Sequence, residues 1–421
     1  MKKYLLNATA IVSVAMPMAL ASTPASAEGE VTLFHRSAAE SARTPRMAMW
    51  NHCADQLDIT IVENFSPPDQ YEVQLPVQLS SSTPPDIYAL WAGGRAQFQA
   101  ETGVIRSLND VWPSFKDNFP AGIQATSTEP DGNVYVVPTT FQPNVFWYNK
   151  AIFAEHGIEP PATWEEFISA ADTLKAAGVT PFVLGASSGW EPLFWFDYMI
   201  LRVAGSDFRN GLMAGTESYL DPKVIEAMEK WGGLIEAGYF VDGYSSMGWR
   251  EMATRVMSGE AAMEIMGPWT AGNFISSGWE PGVDFGTFNF PNINADIPDA
   301  VEGAVEGWAA SGAGENTENA LKMLACISER EPQEKFAIQA QRPSTNVDIS
   351  VSIYEPESIQ PTIQSFYDML DAPFHQNLEL ATHPAVTEVA KREFPRFLVF
   401  PDQYMDVLER LEARRLETFG G

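Results

Sequence analysis

The sequence predicts an α/β fold, and three observations carry that expectation. Short apolar runs alternate with longer segments of helical period, the pattern of strands covered by helices. Helical segments are punctuated, with Thr or Asp before the first turn and Gly after the last. The first two apolar runs are separated by a stretch of helix length, enough for the crossover that parallel strands require.

In chain order, 31–34 reads as the first strand, 59–62 as the second and 87–90 as the third, stopped by Trp91-Ala92-Gly93-Gly94. Segments 134–137 and 145–148 follow as strands, separated by a Pro-containing link over 138–143. Thr163-Trp164-Glu165-Glu166 has the form of a capping box, Thr163 at the N-cap and Glu166 at N3. Phe167, Ile168, Ala171 and Leu174 then share one face, and Gly178 ends the helix. Asp221-Pro222 is an N-cap followed by Pro at the first helical position. Val224, Ile225, Met228, Trp231 and Ile235 keep the helical period until Gly238. Further helices are expected over 317–329, 332–341 and 402–416. No internal repeat or low-complexity tract interrupts the pattern.

Composition narrows the function. Of 421 residues, 45% are hydrophobic and 19% charged, which excludes a disordered chain and a polytopic membrane protein. Lys and Arg number 26 against 55 Asp and Glu, a net charge of −29. Such a surface repels phosphate backbones and anionic lipid, so nucleic-acid and lipid-surface partners are not expected. Lys2 and Lys3 precede an apolar stretch over 5–21, and Ala25-Ser26-Ala27 supplies a cleavage pattern. Residues 1–27 are therefore expected to be a signal peptide, cleaved near Ala27, for an exported protein. Its removal takes away two Lys and no acid, deepening the charge to −31. Of the two cysteines, Cys53 and Cys326, two buried thiols are favoured over a bridge, because a core of this size needs no staple. No zinc spacing or His cluster is present, and neither metal nor cofactor is expected.

Catalytic motifs are missing. There is no phosphate loop, Gly-x-Ser-x-Gly or His-Glu-x-x-His. Glu40, Asp86, Glu191 and Glu264 lie near expected loops, but among 55 acids such a coincidence is ordinary. Tryptophans say more. Trp91, Trp190, Trp269 and Trp308 each adjoin Gly-rich turns, where a ring can stack on the C–H face of a sugar. Trp50, Trp112, Trp147, Trp164 and Trp231 sit on periodic or strand segments and are assigned to the core.

Several motifs then occur in a telling order. They are Thr83-Pro84-Pro85-Asp86-Ile87-Tyr88, Asp131-Gly132-Asn133-Val134-Tyr135 and Trp147-Tyr148-Asn149-Lys150. Gly157-Ile158-Glu159-Pro160-Pro161-Ala162-Thr163-Trp164, Met257-Ser258-Gly259-Glu260-Ala261-Ala262-Met263 and Gly267-Pro268-Trp269 follow. The ordered set resembles the extracellular solute-binding proteins of carbohydrate ABC importers, the group containing maltose-, trehalose- and glycerol-phosphate-binding proteins.

The resemblance implies a two-lobed periplasmic binding protein of type II, each lobe a central sheet flanked by helices, with a ligand cleft at the hinge. Residues 28–140 and 290–340 would form lobe 1, and 141–289 and 341–421 lobe 2. It implies a monomer that is not an enzyme, closes on a carbohydrate and delivers it to the importer's transmembrane permease subunits. His35, Arg36, Glu40, Trp91, Phe141 and Gln142 would face the cleft from one side. Trp190, Glu191, Trp195 and Trp269 would face it from the other, with Gly307, Trp308 and Arg342 completing the set. A carbohydrate-active enzyme and a receptor serving a sensor are the alternatives. One departure stands out. Where such proteins often carry a Trp pair and a Gly-rich turn after the first strand, this chain reads His35-Arg36-Ser37-Ala38-Ala39-Glu40, which suits an anionic or heavily hydroxylated ligand or a plain ion pair with a surface acid.

Overall fold

In the computed structural model, which describes residues 29–37, 40–129 and 131–420, β1 (Glu30–Arg36) pairs in parallel with β2 (Thr60–Ser66) and β3 (Ile87–Trp91). The expected signal peptide lies outside the described residues. Antiparallel to β3 runs the long β9 (Val301–Ala310), which also pairs with β4 (Val137–Pro143) and β10 (Phe374–Gln376). These six strands make one sheet. A second sheet has the order β6-β7-β5-β8, with β5 (Val145–Asn149), β6 (Thr180–Val183), β7 (Ala261–Met266) and β8 (Phe285–Phe288). The chain passes from the first sheet to the second after β4 and returns after β8. Its last helices, Pro384–Val399 and Tyr404–Phe419, pack beside Glu191–Met213 and Pro222–Glu236 around the second sheet.

Helix punctuation forms as expected. The Thr163 hydroxyl accepts from the Glu166 N–H, and the Glu166 carboxylate accepts from the Thr163 N–H. Asp221 accepts from the Lys223 N–H. Asn149 caps Lys150–Glu155 by accepting from Ala151 and Ile152.

Two expectations are corrected. Residues 138–143 are not a link but most of β4. The strand lies at the sheet's margin, and among the described residues its one ladder partner is β9, with a single further bridge from Thr140 to Ser344, so the absent N–H groups of Pro138 and Pro143 break no second ladder. Cys53 and Cys326 are not free thiols but a disulfide. Helices Glu40–Leu57 and Thr317–Ile327 pack side by side against the first sheet, which brings the two Cα atoms to 5.8 Å, inside bridging distance.

Both cores are aromatic. Trp147 and Trp231 are fully buried, and Trp50 and Trp112 nearly so. Trp164 is half-buried against Phe167. Among the described residues, no helix is long and apolar enough to cross a membrane.

Candidate functional site

Neighbouring parallel strands deliver their carboxyl ends to the same edge, and α/β sheets hold ligands there. β1 ends in Arg36 and its neighbour β3 in Trp91. The Arg36 guanidinium lies 3.5 Å from the Trp91 ring centroid, a cation–π contact that fixes the guanidinium plane. Antiparallel pairing of β3 with β9 places Glu306 opposite Trp91, at the same strand end. Glu306 Oε1 accepts from Arg46 Nη2 at 2.7 Å and lies 3.0 Å from Arg36 Nη2. Its Oε2 accepts from Gln142 Nε2 at 2.6 Å, with Arg342 Nη1 3.7 Å away. Burial would raise the Glu306 carboxyl, but Arg36, Arg46 and Arg342 together hold it well below the carboxylate range. Burial lowers Arg342 to about 10; Glu306 opposes the fall, while Arg46 and Arg36 add to it.

In the second sheet, β6 and β7 are parallel neighbours, and the turns beyond them carry Trp190 and Trp269. Gly189 permits the first turn. Its φ is +77°, and a Cβ there would come within 2.5 Å of the Lys391 carbonyl oxygen, so any side chain would push Trp190 away. The Trp190 and Trp269 rings stand 6.3 Å apart at 64°, and Phe194 lies 5.4 Å from Trp190. Both tryptophans are half-buried, so each keeps ring surface open.

Beside them sits Glu191, buried, with no hydrogen-bond partner among the described residues for either carboxylate oxygen. Burial raises it to about 7; the nearby N–H groups of Glu191 and Trp249 and the Lys391 charge oppose the rise, and Glu379 adds to it. Glu264 on β7 is likewise raised to about 8 by burial, against a 2.8 Å bond from the Thr270 hydroxyl.

A bridge of charge relates the two halves. Glu379 accepts from Lys391 Nζ at 2.6 Å and from Arg95, which also holds Glu72 at 2.5 Å. Glu379 feels the charge of Arg36 on one side and acts on Glu191 on the other. Arg95 also lies 5.5 Å from the Trp91 ring centroid, and Gly189, next to Trp190, abuts the Lys391 carbonyl, so the Arg36–Trp91 end of the first sheet and the Trp190–Glu191 end of the second gather around the same segment.

Other expected positions lie elsewhere. His35 is fully buried, with Nε2 2.9 Å from Glu63 and the ring packed near Phe65 and Trp308. Burial lowers its pKa, against the Glu63 bond. Alternation explains this, since adjacent strand residues point to opposite faces. Glu40 is exposed and pairs with Arg43 at 3.1 Å. Trp195 stacks on Trp231 with 6° between the planes, and Trp308 meets Trp50 edge-on at 4.8 Å. Phe141 packs against Tyr367 and Phe374. These three rings are enclosed by protein and belong to the core, not to a stacking platform. At Gly307 a Cβ would meet the Val137 carbonyl oxygen at 2.0 Å, so that glycine serves the close approach of β4 and β9. Asp86 ties strand to strand, accepting from Thr32 and Asn316.

Sequence reasoning missed Arg46, Arg95, Glu306, Glu379 and Lys391. One signal was available: Glu302 and Glu306 interrupt an otherwise apolar run, and a carboxylate inside a buried strand needs a partner. Among the described residues no group of His, Cys, Asp or Glu is placed to hold a metal ion.

Comparison with known proteins gives three findings. Residues 53–334 match the family described as bacterial extracellular solute-binding protein. An uncharacterised ABC transporter extracellular-binding protein of Pyrococcus horikoshii is 33% identical over 212 residues, 49% of this chain and 47% of that protein. A probable sugar-binding periplasmic protein of Rhizobium meliloti is 29% identical over 209 residues, 47% of this chain and 48% of its own. The chain thus spans about half the length of the curated relatives it matches. In fold it is similar to the solved bacterial solute receptor AcbH, described as having an exclusive preference for β-D-galactopyranose. That likeness has a TM-score of 0.79 at 24% identity, over 93% of this chain and 99% of that one. The expected type II two-lobed architecture is the one found.

Proposed function

Because the chain belongs to the bacterial extracellular solute-binding proteins, a family of binders and not of enzymes, we propose that it captures a sugar in the periplasm and presents it to an ABC importer. The observation that carries this reading is the pair of half-buried rings, Trp190 and Trp269, at the carboxyl ends of parallel strands, gathered with Arg36 and Trp91 around Glu379. Aromatic faces cover the C–H side of a sugar while guanidinium, carboxylate and amide groups take its hydroxyls.

In this reading 28–140 with 290–340, and 141–289 with 341–421, are the lobes, except that 141–143 and 374–376 pair with the first sheet and go with the first lobe, and the leader is removed near Ala27. Arg36, Trp91, Gln142, Arg342, Trp190, Glu191 and Trp269 line the cleft. The lobes rotate about the crossovers, and bound sugar favours the closed form by as much as it binds that form better. The closed monomer is what the permease subunits distinguish from the open one. A thermal-shift screen of mono- and disaccharides tests the proposal. A ligand at 100 times its Kd adds about 2.7 kcal/mol, so a binding sugar raises the melting midpoint by several degrees. Loss of that response in Trp269→Ala supports the cleft assignment; no response to any sugar overturns the reading.

A further inference from the structure

The charges around Glu306 do not balance. Arg36, Arg46 and Arg342 converge on one carboxylate, leaving two positive charges over. Arg36 and Arg46 are 7% and 5% exposed, so solvent screens that excess little. Glu379, which also feels the Arg36 charge, is already engaged by Arg95 and Lys391. The excess is the more telling in a chain with 55 acids and 26 basic side chains, where a second acid would have been the ordinary partner. Among the described residues Nη1 of Arg36 is buried and has no hydrogen-bond partner. Trp91 holds the guanidinium by its face at 3.5 Å, so the remaining N–H groups are directed along the plane of the group, the geometry that binds an oxyanion by its edge.

We propose that Arg36, with Arg46 and Arg342 around Glu306, receives the anionic group, a carboxylate or phosphate, of an acidic sugar. The inference rests on the reading of the chain as a solute receptor and names the class of its solute. The Trp190–Trp269 side takes the sugar ring, and the Arg36 side takes its charge. Glu306 holds the three guanidiniums together in the absence of ligand, and the ligand supplies the negative charge that the cluster lacks.

The test is isothermal titration of the exported chain with D-galacturonate and D-glucuronate, their neutral counterparts D-galactose and D-glucose, the hexose 6-phosphates, and short oligomers of both acidic and neutral kinds. Acidic ligands are expected to bind at least 10-fold more tightly than neutral counterparts, and more weakly as salt rises. The uronate and phosphate arms separate the two sources of charge. Arg36→Gln, which removes a charge-assisted bond, should weaken acidic binding about 10- to 100-fold and weaken a neutral sugar, which can lose only a hydroxyl contact there, at least several-fold less, with Arg36→Lys between. If Arg36→Gln does not fold, Arg342→Gln at the more exposed edge carries the same comparison. Neutral sugars binding as tightly as acidic ones would overturn the inference and leave the receptor reading standing. No binding by either kind would overturn both.

Discussion

Reducing the Cys53–Cys326 bridge while leaving every other atom in place should lower stability by several kcal/mol. The bridge closes a loop across a sequence separation of 273 residues, so it restricts about two thirds of the unfolded chain while touching only two helices of the folded one. The chain-entropy relation gives about 5–6 kcal/mol at 25 °C for a loop of that length, and measured bridges more often give about 2–4 kcal/mol. The assay is urea unfolding followed by tryptophan emission, with and without a phosphine reductant, and thiols counted in each sample. The reduced chain should unfold at lower urea and with a steeper dependence, since an unlinked chain exposes more surface. Equal midpoints for samples that differ by two titrated thiols would refute the loop argument. Two titratable thiols in freshly exported protein would refute the bridge itself.

Four further outcomes are expected. Glu264 keeps its proton to about pH 8 when folded, against an ordinary 4.5, so stability falls as pH rises through that interval, where the unfolded chain has released a proton that the folded one retains. At about 1.4 kcal/mol per pH unit the loss approaches about 5 kcal/mol; Glu264→Gln should flatten the urea midpoint against pH, raising it near pH 8.5 and leaving it little changed near pH 4.5. Trp195→Ala should cost about 3–5 kcal/mol and lower the apo melting midpoint. Trp269→Ala should lower sugar affinity with little change in that midpoint, and the reverse pattern would exchange their roles. Gly307→Ala, whose Cβ would lie 2.0 Å from the Val137 carbonyl oxygen, should part β4 from β9 and cost about 1–3 kcal/mol, read as a lower midpoint.

The sequence alone carried much of what depends on near neighbours in the chain, though not the strand over 138–143, whose prolines read as a link. The strands over 31–34 and 87–90, the cap at Thr163, the Asp221-Pro222 start and the core assignment of Trp50, Trp147 and Trp231 follow from period, capping chemistry and turn residues. So did the ordered motifs that place the chain in its family. Tertiary structure decided what depends on which segments meet. Trp91 and Trp195 look alike as letters, yet one ends a strand beside a guanidinium and the other lies inside a ring cluster. Cys53 and Cys326 become a pair only because two distant helices share one sheet face. His35 and Arg36 are adjacent, and the pleat sends one into the core and the other to the strand end. Glu306 and Arg46 are 260 residues apart, and no local pattern links them; only the antiparallel register of β3 and β9 brings that carboxylate to Arg36. Local propensity acts through bonds between neighbours, whereas the charge balance at a site is set by distance in space.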